Sequence, residues 1–262
     1  MKIVTDISVT SARRSGRGFS PAWLFSSGAD GAWYDPGDLG TLFQDAAGTV
    51  PVTAPGDPVG YMADRSGNGY HVTQATAAAR PVLRQDTQGR TYLDFDGVDD
   101  ALSAGDVLDL GSIDRTAAFG VQVSGPGRGS FLGKRGSGAP GKPGWGLRSD
   151  DRRLLLEYDD GTSSTFPAIG DAGGLADRAV HVAEIAFGVE ARSYRNGLLS
   201  AATGDLSGLG DSTGTRDFQI GGQVPFFAEM RFYGGLVRAG LLTAAEREHV
   251  RHYLADRTGV AP

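Results

Sequence analysis

The sequence predicts an all-β protein: a two-sheet antiparallel sandwich closed by one short helix at the C-terminus. Three observations predict it. At least eight short segments alternate apolar and polar residues, and each is bounded by Gly, Asp, Asn or Ser. The 262 residues include 41 glycines with no G-X-Y period, which fits many tight turns and excludes a collagen-like chain. Only the last segment carries the start and stop signals of a helix.

Residues 1–28 read as an N-terminal strand and arm. Lys2 to Val9 alternates, and the polar, basic, glycine-rich run after it suits a docking segment or a flexible end. Residues 29–90 read as an irregular lead-in, because turn signals such as Asp35-Pro36-Gly37 and Pro55-Gly56-Asp57-Pro58 break it into short pieces. From residue 91 the pattern is regular. Tyr92–Phe95 alternates and ends at the turn Asp96-Gly97, and Phe119–Val123, Phe131-Leu132, Trp145–Leu147 and Leu154–Tyr158 follow. Ala179–Phe187 reads as a long strand with one buried face, and Ala191–Arg195 runs into the hairpin signal Asn196-Gly197. Asp217–Ile220 and Phe226–Val237 complete the strands. Thr243 and Glu246 form a capping box, so a helix is expected over 243–255, with Gly259 beyond it as the stop. Residues 29–262 therefore read as one sandwich with its lead-in and closing helix.

Composition excludes several classes. Net charge is −6 and no basic stripe interleaves with aromatics, so a nucleic-acid partner is not expected. Cysteine is absent, so the fold uses no disulfide. No apolar run has the length of a membrane span, and the first residues lack the apolar core of a secretory signal. Synthesis in a cytoplasm is expected, with any outside role reached by lysis or on a particle.

Several stretches resemble a known family. Tyr92-Leu-Asp-Phe-Asp-Gly-Val-Asp-Asp100, the strand around His181, the hairpin Tyr194-Arg-Asn-Gly197 and the closing helix occur in the order seen in concanavalin A-like, laminin-G-type jelly-roll domains. The block Trp33-Tyr-Asp-Pro, Pro55-Gly-Asp-Pro-Val59 and Asp64-Arg-Ser-Gly-Asn-Gly69 is similar to a lead-in of such domains in tailed-phage virion proteins. The resemblance implies a jelly roll whose concave face or rim loops bind glycans or proteins, with some glycosidases among the relatives. It implies a virion location: a tail fibre, spike or capsid decoration that contacts host surface polysaccharide. The arm would then dock to other virion proteins, and the module would act as a homo-oligomer. A purely structural decoration protein and a polysaccharide depolymerase are the two alternatives.

Catalysis finds little support. Glucanases of this fold set Glu-x-Asp-x-Glu on one strand, so that three carboxylates face one groove. Glu184 has no acid two or four residues on, Glu229 has Arg231 at that place, and Glu157–Asp159 runs into a turn at Gly161 and reads as a solvated strand end. No G-x-S-x-G elbow occurs. His249 and His252 lack further ligands at suitable spacing, and His181 reads as a core or rim histidine. No catalytic residue is assigned.

Carbohydrate recognition needs an aromatic platform and a few polar groups. Trp145 lies between glycines that would leave its ring open, although a core tryptophan fits equally. Arg148, Tyr158 and Tyr194 stand on neighbouring expected strands and complete the candidate site. Trp23 and Trp33 are expected against the sandwich edge. The loop 124–144 carries Arg128, Lys134, Arg135 and Lys142 and reads as a basic rim. No cofactor is required, but calcium remains open. Asp64, Ser66, Asn68 and Gly69 begin like an EF-hand loop, yet the twelfth position is Ala75, which rejects that motif. A turn is the simpler reading. Asp64, Asn68, Asp99 and Asp100 remain the candidates for a calcium site of another type.

Overall fold

A computed structural model describes residues 19–134, 141–223 and 225–261. The expected strand at Lys2–Val9, most of the arm, and Arg135 of the basic loop lie outside the described residues.

Two sheets pack face to face. The first runs in the order Leu198–Asp205, Glu190–Arg195, Ala179–Ala186, Arg115–Val123, Glu229–Ala239, Thr91–Asp96, Val82–Gln85, and Gly31–Tyr34 pairs with the far half of Glu229–Ala239. The second runs Ser164–Thr165, Arg153–Asp159, Gly144–Asp150, Gly129–Gly133, Phe218–Ile220, Leu102–Gly105, Val72–Thr73, Tyr61–Met62, Leu42–Phe43. Among the described residues pairing is antiparallel except for one parallel bridge, Phe227 to Ser130. This is the two-sheet sandwich the alternation predicts. The lead-in is not a separate piece, because its short strands extend the second sheet and fill a gap in the first.

Alternation decides what is buried. Leu93 and Phe95 face Val121, Phe119, Ile185 and Leu147 in the core between the sheets, while Asp94 and Asp96 face outward. The helix is Ala244–Thr258, three residues longer than the sequence suggests. Thr258 is buried and bonds back to the Leu254 carbonyl, so the helix continues until Gly259, which turns at φ 72°. The capping box is present in full.

The helix covers half of the first sheet's outer face. Val250, Leu254 and Ala255 pack on Ala118, Val180, Val182, Leu236 and Trp33. Two buried carboxylates clamp it there. Glu184 accepts from Arg192 at 2.8 Å and from Arg247 of the helix at 2.7 Å. Asp35 accepts from Tyr253 at 2.6 Å and from Arg257 at 3.0 and 2.9 Å. Glu184, an acid considered above for catalysis, is thus fully engaged in holding the helix. Trp33 is buried beneath it, whereas Trp23 is 53% exposed and edge-on to Phe19, which corrects its expected place against the sandwich edge.

Candidate functional site

The half of that outer face which the helix leaves bare is polar. Strand register builds it: Asp94 stands between Val82 and Arg231, Arg231 stands beside Gln122, and Asp96 stands directly opposite Glu229. Over this row lies a cleft of about 510 Å³, lined among others by Arg80, Arg84, Asp94, Asp100 and Arg231. A second cleft of about 260 Å³ opens at the adjoining end of the sandwich, between the Gly125–Gly129 loop and the Asp96-Gly97 turn. Asp96 and Glu229 line both clefts, so the two meet as one trough over this pair.

Local chemistry shapes the turn beside it. Asp96 accepts from the Val98 amide at 2.8 Å, and Asp100 accepts from the Asp96 amide at 3.0 Å. Gly97 adopts φ 75°, and a Cβ there would lie 2.8 Å from the Glu229 Cβ, so only glycine lets the turn sit against Glu229. Asp96, Asp99 and Asp100 each offer an oxygen within 4.8 Å of the others. They are the residues here that could hold a cation. Burial pushes Asp100 up to about 6, and Asp96, Asp99 and Asp94 add to the rise against the opposing Asp96 amide bond.

This shift sets an expected result. A carboxyl raised by folding stabilises the native state only while protonated. That contribution is complete below its unfolded value of about 3.9 and is lost as pH rises through its folded value. Asp100→Asn keeps an acceptor for the Asp96 amide and removes the charge. It raises stability near neutral pH by about 1–2 kcal/mol, a few degrees in melting temperature. The gain vanishes below about pH 4, so melts at two pH values check it.

The four residues expected to read sugar are not brought together. Trp145 and Tyr158 are each 1% exposed and stand opposite one another on the inner face of the second sheet. Their rings flank the buried Arg115 guanidinium at 4.9 and 5.4 Å. Neither ring has a free face, which corrects the expectation of an open platform at Trp145. The reason lies in the neighbouring glycine: a Cβ on Gly133 would stand 2.4 Å from the Gly146 Cα, so glycine here serves close strand approach. Arg148 points to the other side of the same sheet, buried against Glu157 at 2.9 Å and over the Phe166 ring. Tyr194 lies on the first sheet under Arg247 of the helix. Glu157 and Asp159 are buried as well, not a solvated strand end.

The calcium reading of Asp64 and Asn68 is corrected too. One Asp64 oxygen accepts from the amides of Trp33 and Ser66, and the other accepts from the Ser66 hydroxyl and the Tyr70 amide. Asn68 donates to the carbonyls of Gly31 and Ala29. The Asp64 carboxylate and the Asn68 amide nitrogen are spent on holding the lead-in to the strand Gly31–Tyr34. Asp99 and Asp100 do lie in an acidic cluster, with Asp96 as its unforeseen third member. Two cations of the basic rim are paired: Lys134 is buried against Asp106 and Asp109, and Arg128 pairs with Asp150. His181 is buried beside Phe119, and burial, with Arg195 nearby, pushes it down to about 3.

Sequence reading missed Asp94, Asp96, Arg231 and Glu229 as a group. Alternation from Leu93 and Phe95 marks Asp94 and Asp96 as outward, but their opposition to Arg231 and Glu229 depends on pairing between strands far apart in the chain.

No protein-family model matches the chain, and no curated protein matches its sequence. Its fold is similar to that of solved β-sandwich binding domains. The binding domain of botulinum neurotoxin serotype D superposes with TM-score 0.52 at 11% identity, covering 73% of this chain and 48% of that one. The serotype G binding domain gives TM-score 0.54 at 14% identity, covering 74% and 49%. Botulinum neurotoxin type C, whose uptake into cells depends on interaction with two ganglioside molecules, gives TM-score 0.53 at 13% identity over 74% and 49%. The chain spans about half the length of these neighbours, and at such identities the likeness is one of fold.

Proposed function

We propose that the chain is a non-catalytic carbohydrate-binding module and that the rim trough is its ligand seat. The observation that carries this is the pair of clefts meeting over Asp96 and Glu229, walled by carboxylates and guanidiniums. Such groups read hydroxyls in pairs, and the open shape suits an extended chain of sugars. The fold neighbours supply further support. Type C interacts with gangliosides, and the serotype D ligand-binding domain was solved with N-acetylneuraminic acid. The non-catalytic reading rests on the acids: Glu184 and Glu157 are bound to arginines, and Asp96 and Glu229 stand side by side on adjacent strands. Glycoside hydrolysis instead uses two carboxyls on either side of the scissile bond.

A phage or phage-like particle is the setting we infer, with residues 1–28 as the docking arm. The support is the resemblance of the lead-in to that of virion proteins. The test is binding of the purified protein to host-cell polysaccharide fractions, with and without EDTA, followed by sizing of the polysaccharide. Retention with unchanged chain length is the expected result. Shortened chains would instead show a depolymerase, and no retention on any fraction would leave a structural decoration protein. Loss of retention in EDTA would show that a cation is needed, with Asp96, Asp99 and Asp100 as its candidate ligands.

A further inference from the structure

We propose that the smaller cleft takes the ammonium group of a de-N-acetylated amino sugar, an inference that rests on the carbohydrate-binding reading above. Its charged lining is Asp96, Glu229 and Arg128, and Arg128 is turned to Asp150. Asp96 and Glu229 present carboxylates to it, and no described donor or cation engages that of Glu229. The Gly125–Gly129 loop leaves this carboxylate clear, since a Cβ on Gly125 would stand 3.0 Å from a Glu229 oxygen.

The cations around the trough are already engaged. Arg128 faces Asp150 at 3.1 Å. Arg80 donates to the carbonyls of Gln74 and Ala75, both at 2.9 Å. Arg84 lies 3.7 Å from Asp94, and Arg231 reaches the Gln122 side chain and covers the Tyr92 ring. Unspent charge in the smaller cleft is therefore negative.

A second observation points to a ligand. Ser149 lines this cleft from the inner face of its strand, fully buried, and its hydroxyl has no hydrogen-bond partner among the described residues. A buried hydroxyl left unpaired is costly, and a bound polar group would satisfy it. An ammonium has three donors and no acceptor, so two carboxylates and a hydroxyl match it without a conflicting group. An N-acetyl group offers one uncharged N–H donor beside a carbonyl acceptor and a methyl, and a sialic acid carboxylate would face two like charges.

The test is calorimetric titration of the full chain at neutral pH with three ligands: a glucosamine oligosaccharide, its N-acetylated counterpart of equal length, and a sialylated oligosaccharide. The glucosamine oligomer is expected to bind at least about tenfold more tightly than the other two. Glu229→Gln removes that preference, and Ser149→Ala weakens the glucosamine oligomer a few-fold, with both variants folded by circular dichroism. Equal or tighter binding of the N-acetylated or sialylated ligand overturns the inference while sugar binding stands. Retention of host polysaccharide without any glucosamine preference does the same. Failure of all three ligands and of every host fraction overturns the carbohydrate reading itself.

Discussion

Asp35→Ala lowers stability by about 3 kcal/mol or more, the cost of removing one partner from a buried ion-pair network. The Asp35 carboxylate has no solvent exposure. It accepts from Tyr253, Arg257, Arg65 and the Gly37 amide, and so ties the lead-in to the helix. Without it, Arg257 and Arg65 lose their shared anion, and the Tyr253 hydroxyl loses its acceptor beneath the helix. Both arginines retain some water contact, which places the cost at the lower end for such networks. These bonds outweigh burial and hold Asp35 below the usual carboxylate range. Its contribution is therefore present above its unfolded value of about 3.9 and is lost as pH falls through its lower folded value. Thermal melts read the loss, and amide exchange across Ala244–Thr258 shows the helix loosening first.

Trp145→Ala costs about 3–5 kcal/mol, as for other buried aromatics reduced to alanine. The ring is enclosed by the core and lies over the Arg115 guanidinium, whose Nε and one terminal nitrogen have no hydrogen-bond partner among the described residues. Removing it takes away both packing and the π face that accommodates the charge. At temperatures where the variant stays folded, retention on polysaccharide is unchanged, because Trp145 lines neither cleft of the trough. A Trp145 that read sugar would give the opposite pattern: full stability and lost retention. Denaturant melts alongside retention separate the two.

Local patterns made the architecture legible. Alternation located Thr91–Asp96, Ala179–Ala186 and Glu229–Ala239, Asn196-Gly197 located a hairpin, and Thr243 with Glu246 located the helix start. Each depends on neighbours within a few positions. The site was much less legible. Gly-Trp-Gly states that space is needed but not whether the ring or the adjoining strand uses it. Asp64 and Asn68 carry the side chains of a metal loop, and only the donors from Trp33 and Tyr70 show that the Asp64 carboxylate is filled. Asp96 announced a turn, and its second role depends on Glu229 being placed opposite it by sheet register. Lead-in strands of two residues carry too little alternation to register at all.

The central claim is that sugar binds in the trough over Asp96 and Glu229. Backbone amide chemical shifts of the isotope-labelled protein, followed during titration with a retained host oligosaccharide, test it most directly. The account predicts shifts concentrated at residues 94–100, 122–129 and 227–231. Shifts confined to the outer face of the second sheet around Arg148, or to the exposed Trp23 beside Phe19, would contradict it.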